Sequence, residues 1–183
     1  MNQIISAVEK ALESKNWYGA LFIALTIPDI CGCAQGAVEG VGNRYKKWFD
    51  DYLKKKYAPD NMYELLLFFS PDDVRDASLG MIEEWKKQPV PGVFTAKDCY
   101  DLRNACLHQG VDEIRIKNFK ISTPDGQVYA HQGIVNGVMY LEVTAFCNDI
   151  LDAARAWIED YRADPIISSK IDKMIKIESI ILI

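Results

Sequence analysis

Arg103, Asn104 and His108 are the residues of this chain whose types and spacing could do chemistry; they lie within Asp101-Leu102-Arg103-Asn104-Ala105-Cys106-Leu107-His108-Gln109-Gly110. An imidazole that titrates near neutral pH can take a proton or give one. A guanidinium can hold two oxygens of a phosphate or carboxylate together and place positive charge on an oxyanion. A side-chain amide can orient either group. One histidine cannot be acid and base at once, so a reaction needing both would draw on two copies of the stretch. Each residue also has a plainer reading. His108, near a helix end, can bond the last carbonyls. Arg103 can simply hold a buried acid, and Asn104 can be an ordinary exposed polar residue.

These side chains need a helix to position them. Thr95-Ala96-Lys97-Asp98 reads as a capping box, with Asp in place of the commoner Glu, and Gly110 is a natural terminal residue. That predicts a helix from Ala96 to near Gln109. At about 100° per residue, Cys99, Tyr100, Leu102, Cys106 and Leu107 share one apolar arc. Lys97, Asp101, Asn104 and His108 fall on the opposite side, with Asn104 and His108 one above the other. Arg103 falls inside the apolar arc. Its guanidinium cannot shed its charge, so it requires a hydrogen-bonded partner there. Asp29 is the best candidate. It follows Pro28 in the most apolar helix of the chain, where an acid without a cation would itself be costly. Asp98, Asp101, Glu142 and Asp149 are the alternatives, and Asp101 also supports the motif from within its own helix.

The stretch from Thr95 to Gly110 resembles the signature of the HEPN superfamily. In that family an Arg is often followed by a polar residue such as Asn and, a few residues later, by His. Here the matching residues are Arg103, Asn104 and His108, in the pattern R-N-x-x-x-H. The resemblance implies a helical bundle and a metal-independent ribonuclease, or a nuclease-derived RNA-binding domain. It implies a homodimer in which two motifs face one cleft, and it is similar to members of bacterial toxin and phage-defence systems. The implied reaction is attack of the RNA 2′-hydroxyl on the adjacent phosphate. His108 would move protons, Arg103 would stabilise the phosphorane and Asn104 would orient them. Two classes stay open here: a composite endoribonuclease, and a catalytically silent module that binds RNA, nucleotide or a protein such as an antitoxin or regulator.

Composition sets the outer bounds. The chain has 183 residues, of which 49% are hydrophobic and 26% charged, as in an ordinary globular domain. A net charge of −5 argues against sequence-blind coating of a duplex, though not against handling one phosphate at a time. Cys31, Cys33, Cys99, Cys106 and Cys147 have mostly apolar neighbours and read as buried, reduced thiols of a cytoplasmic protein. C-x-C lacks zinc-finger spacing and the chain has two histidines, so neither a metal nor another cofactor is expected. No secretory leader is read at the N-terminus, and the apolar run from Trp17 to Cys33, interrupted by Pro28-Asp29, reads as too broken to span a membrane.

Elsewhere the periodicity predicts a helix over about Asn2 to Ser14, then an apolar helix capped by Asn16 that Pro28 kinks or stops. Dense glycine at Gly32, Gly36, Gly40 and Gly42 predicts a loop or close backbone approach. Tyr45, Trp48, Phe49, Tyr52 and Leu53 form a stripe best read as core. Asn61 to Phe69 is ambiguous between helix and strand. Ser70-Pro71-Asp72-Asp73 opens a helix running to about Lys87. Ile114, Ile116, Phe119 and Ile121 alternate as in strands, with a turn at Thr123-Pro124-Asp125-Gly126 and a second strand or two expected between Gln127 and Val143. His131 reads as a surface residue. The last clear helix covers about Thr144 to Tyr161.

The expected architecture is therefore mainly α, a single domain over 1–183. It is a bundle of about five to six helices, with a β-hairpin insertion near 111–143 and an apolar tail over 165–183. That tail is expected to dock on its own core or on a partner chain, and no membrane partner is expected.

Overall fold

Helix α1 (Asn2–Glu13) packs Ile5 and Val8 inward, and its chain reverses at Asn16, whose side chain accepts from the Gly19 amide to open α2 (Trp17–Ala24). The structure is a computed structural model that describes residues 1–36, 40–109, 119–125 and 131–174, with 108 and 109 given by their backbone. Pro28 acts differently from expectation. The apolar helix has already turned at Leu25–Thr26, and Pro28 sits in the first turn of a new helix, α3 (Ile27–Gln35). A proline there gives up a backbone donor that has no partner anyway, so it starts a helix instead of breaking one.

The glycines divide between the two roles expected of them. Gly36 ends α3 with φ +67, and Gly40, with φ +82, precedes α4 (Val41–Tyr52). Gly32 lies inside α3, where a Cβ would stand 3.0 Å from the Cβ and carbonyl of Arg44. That close approach seats α4 on α3. Along α4 the aromatic stripe is core: Tyr45, Trp48 and Phe49 are fully buried.

A short α5 (Lys54–Tyr57) leads to α6 (Met62–Phe69), which resolves the ambiguous segment as helix, with Asn61 accepting from the Glu64 amide. The next helix is two helices, α7 (Pro71–Asp76) and α8 (Leu79–Lys87). Ser78 causes the break, because its hydroxyl accepts from the Met81 amide and caps α8. Such breaks make the helical segments shorter and more numerous than the five or six expected. Then comes α9 (Ala96–Asn104), opened by the predicted capping box in full: Thr95 accepts from the Asp98 amide and Asp98 accepts from the Thr95 amide at 2.8 Å.

The insertion is a three-stranded sheet, more than a hairpin, with two of its strands in the segment after Gln127 where one or two were expected. Strands β1 (Phe119–Ser122), β2 (Gly133–Val135) and β3 (Val138–Glu142) run in the order β1-β3-β2. β1 is parallel to β3 with Phe119 opposite Met139, and β2 is antiparallel with Ile134 opposite Met139. The hairpin turn is Asn136-Gly137, both with positive φ (51 and 76), as right-handed strand twist favours. The expected turn after Ile121 survives at Pro124-Asp125 but follows the parallel strand. The strand positions Ile114 and Ile116 lie outside the described residues.

Helix α10 (Val143–Asp160) follows β3 directly, because the Glu142 carboxylate accepts from the amides of Thr144 and Ala145. It is the central element of the bundle, burying Phe146, Ile150, Leu151, Ala154 and Trp157 against residues of α1–α4 and α9 in one core. The tail begins as α11 (Pro165–Asp172), capped by Asp164 and anchored by Ile167. Residues 175–183 lie outside the description. Among the described residues one stretch, Trp17–Gln35, has the length and hydropathy of a membrane-crossing segment; half of it is buried in the bundle, and it is divided between α2 and α3.

Candidate functional site

Three helices meet around Arg103. α9 presents Arg103 from the face that also buries Cys99 and Leu102. α3 presents Asp29 from its first turn, and α4, seated on α3 by Gly32, brings Tyr45. The guanidinium Nη2 lies 2.7 Å from Asp29 Oδ2, with the two side chains 16% and 17% exposed. The carboxylate expected for Arg103 is thus the one in contact with it. The other candidates are occupied elsewhere: Asp98 in its capping box, Glu142 at the start of α10, Asp101 with Lys97 at 2.6 Å, and Asp149 in a separate cluster.

Arg103 Nη1 also donates to Asn104 Oδ1 at 2.9 Å. The amide oxygen of Asn104 is therefore turned to the guanidinium. Tyr45, fully buried, shares its hydroxyl with Cys99 Sγ at 3.3 Å. Burial first, then Cys99 and the Asp29 carboxylate, push the Tyr45 phenol well above its ordinary value, while Arg103 acts the other way. Tyr45 therefore stays a neutral phenol within electrostatic reach of the ion pair. Sequence reasoning placed Tyr45 in the core and missed its place beside the pair.

Past Asn104 the helix changes type. Ala105–Gln109 forms a π turn, with i→i+5 bonds and a wider turn than the α-helix. The i,i+4 stacking expected of Asn104 and His108 rested on α-helical geometry, and the backbone departs from it at that point. His108 is carried by this π turn, and its imidazole lies outside the described atoms. The structure therefore brings Arg103, Asn104 and Asp29 together, and keeps Asp101 on the same helix, bound to Lys97. Chemically, the site holds a fixed guanidinium whose charge is largely matched by one carboxylate. An incoming phosphate would have to share Arg103 with Asp29.

A second polar cluster was not foreseen. His131, expected at the surface, is 13% exposed at its side chain. Its Nε2 lies 3.0 Å from the Tyr57 hydroxyl and 3.3 Å from Asp149 Oδ2. Tyr57 donates to Asp149 Oδ2 at 2.6 Å, and Lys56 Nζ donates to Oδ1. Since the Tyr57 proton goes to Asp149, its oxygen is left to accept from His131 Nε2–H. Burial alone would raise the Asp149 carboxyl, but the bonds from His131, Lys56 and Tyr57 outweigh it and hold the group below the ordinary carboxylate range. Burial and the adjacent carboxylate push the Tyr57 phenol far up. The partners are 74 and 92 residues apart in sequence, so no local pattern could have signalled the cluster.

The cysteines are free thiols; Cys31, Cys99 and Cys147 are buried as expected, whereas Cys33 is exposed. Burial pushes Cys99 and Cys147 up to about 12 and Cys106 up to about 11. These thiols are packing groups, protonated at neutral pH. Among the described residues no cluster of His, Cys, Asp and Glu is arranged to hold a metal ion. A hollow of about 270 Å³ between α1, α10 and α11, lined by Ile4, Ile158 and Ile171, and one of about 330 Å³ between α1 and α10, lined by Ile5 and Ile158, include no residue from the motif.

The chain matches no protein-family model, no curated protein and no solved structure.

Proposed function

We propose that this protein is an HEPN-like, metal-independent endoribonuclease that works as a homodimer in the cytoplasm, in the manner of a bacterial toxin or defence factor. The observation that carries the reading is the Asp29–Arg103–Asn104 arrangement. A guanidinium is locked by a carboxylate and an amide at the point where its helix passes into a π turn bearing His108. A phosphorane needs such a fixed positive group, and preorganised charge is usually the largest catalytic contribution. His108 supplies proton transfer, and a second copy supplies the second imidazole that acid and base catalysis together require. No cofactor or metal enters this reaction. RNA is the substrate, and a protein antitoxin or regulator is a fitting partner.

One observation favours a second reading. Arg103 is largely buried and already neutralised by Asp29, which suits a silent module in which the pair only supports the bundle. Incubating the purified chain with mixed RNA, with and without chelator, beside His108→Ala separates the two. Chelator-resistant cleavage lost in the variant supports the enzyme. Cleavage that survives in a folded His108→Ala protein, or that requires Mg²⁺, rejects it. Sedimentation at micromolar concentration checks the dimer, and a monomer there rejects the composite site.

A further inference from the structure

Helices α6, α7 and α8 form an arm whose chemistry does not suit exposure to water. Its two ends are pinned together where the Met62 amide donates to the Gln88 carbonyl at 2.9 Å. The arm packs mainly on itself, with α6 against α7 and α8, and Val74 is its own buried residue. Helix α6 reads Met-Tyr-Glu-Leu-Leu-Leu-Phe-Phe, yet none of its residues is buried, and none of α8 is buried either. A helix apolar nearly all round normally lies inside a structure. With the neck at Met62 and Gln88, the far ends of α6 and α8 carry the exposed apolar groups. Leu67, Phe68 and Phe69 stand on one, and Leu79 and Met81 on the other; Phe69 is 53% and Leu79 83% exposed.

Charge narrows what can cover them. Between Met62 and Gln88 the arm carries six carboxylates (Glu64, Asp72, Asp73, Asp76, Glu83, Glu84) and three cations (Arg75, Lys86, Lys87). Asp72, Asp73 and Asp76 lie on the short helix joining the two apolar ends, and the only cation there, Arg75, is already bridged to Asp72 and Asp76. Two copies meeting about a twofold axis would bring these acidic rims into one interface, where like charges repel. An anionic membrane surface is opposed for the same reason. We propose that the tip of this arm, Phe68, Phe69, Leu79 and Met81 with its rim of Asp72, Asp73 and Asp76, is a docking surface for an amphipathic helix of a partner protein whose apolar face is flanked by Lys or Arg. The exposed apolar side chains of the two helix ends supply the anchors, and the acidic rim supplies orientation and selectivity.

The test titrates the full chain into a dye-labelled Leu/Lys peptide of amphipathic helical pattern and reads anisotropy. Controls are a Leu/Glu peptide of the same pattern and a Ser/Lys peptide of the same charge without the apolar face. Saturable binding of the Leu/Lys peptide alone is expected, weakened about tenfold or more by Phe69→Ser and by Leu79→Ser. Both positions are exposed, and Leu79→Ser keeps the test decisive if the other variant folds poorly. Replacing Asp72, Asp73 and Asp76 together by Lys should move preference to the Leu/Glu peptide. Equal binding of the Ser/Lys peptide, no effect of the tip variants, tip-dependent self-association, or tip-dependent binding to phosphatidylserine vesicles would each overturn the proposal.

Discussion

Arg103 on α9 and Asp29 on α3 form an ion pair at 2.7 Å that joins the motif helix to the first turn of α3. Both side chains are more than four-fifths buried. Removing one partner leaves the other charge without compensation, which costs about 3–5 kcal/mol. Asp29→Ala should therefore lower Tm by roughly 6–20 °C for a domain of this size. Replacing both residues with apolar ones of similar volume, Asp29→Leu with Arg103→Met, should recover most of that loss, since no buried charge remains. Differential scanning calorimetry of the single and double variants checks both expectations, and an Asp29→Ala protein as stable as wild type refutes the structural role.

The Asp149 cluster predicts a specific pH dependence. Its carboxyl is held below the ordinary value by His131, Lys56 and Tyr57 despite burial. A group with a depressed folded pKa stabilises the fold above its unfolded pKa, about 3.9 for Asp, and that stabilisation is lost as pH falls through the lower folded value. Wild type should therefore exceed Asp149→Asn in stability at neutral pH, and the gap should narrow once pH drops below about 4. Urea unfolding at a series of pH values reads this directly. A gap that is constant down to the acid limit would show that ionisation of Asp149 contributes nothing.

What was legible in the sequence followed the range of the interaction. Capping signals act within one turn, so Asn16 and the Thr95–Asp98 box could be read outright. The Arg103–Asp29 pair could also be read, because a charge inside an apolar arc admits few partners and Asp29 stood in an apolar helix. Competition between local signals was harder. Pro28 reads as a kink or stop, but the chain has already turned at Leu25–Thr26, and the same proline favours a helix start. Ser78 carries a cap signal, but the helical periodicity on both sides of it hides the break. The turn at Thr123-Pro124-Asp125 is read correctly, whereas Asn136-Gly137, a strong hairpin signal, goes unused between the strands expected after Gln127. The parallel pairing of β1 with β3 and the placing of His131 beside Tyr57 and Asp149 depend on tertiary packing alone.

Gly32 should resist enlargement. A Cβ there would meet the Cβ and the backbone carbonyl of Arg44 at 3.0 Å, and a backbone cannot move aside as a flexible side chain can. In an exposed helix, replacing Gly would gain about 0.5–1 kcal/mol from reduced chain entropy. At this crossing a branched side chain should instead push α4 off α3 and cost about 1–3 kcal/mol. Gly32→Val should thus lower stability measurably in chemical denaturation, and a neutral or stabilised variant would show that the α3–α4 contact is loose. Because α3 and α4 also carry Asp29 and Tyr45, the same variant should weaken any activity of the Arg103 site.

Arg103→Lys separates the two roles assigned to Arg103. Lysine keeps the positive charge but replaces a planar fork of donors by a single ammonium. It can still meet Asp29, so the fold should survive, with less than half the loss in Tm seen for Arg103→Ala. It cannot hold Asp29, Asn104 and a phosphate oxygen together in the geometry that Nη1 and Nη2 now define. If the guanidinium stabilises the phosphorane, RNA cleavage by Arg103→Lys should fall by about 10²–10³-fold, as for removal of one oxyanion donor. His108→Ala should fall by about 10²–10⁴-fold, since it removes the proton carrier. Asn104→Ala should weaken cleavage less than either. Single-turnover cleavage of a labelled RNA, set beside melting curves of the same preparations, gives both readouts. Full cleavage by a folded Arg103→Lys protein would leave Arg103 with its structural role alone.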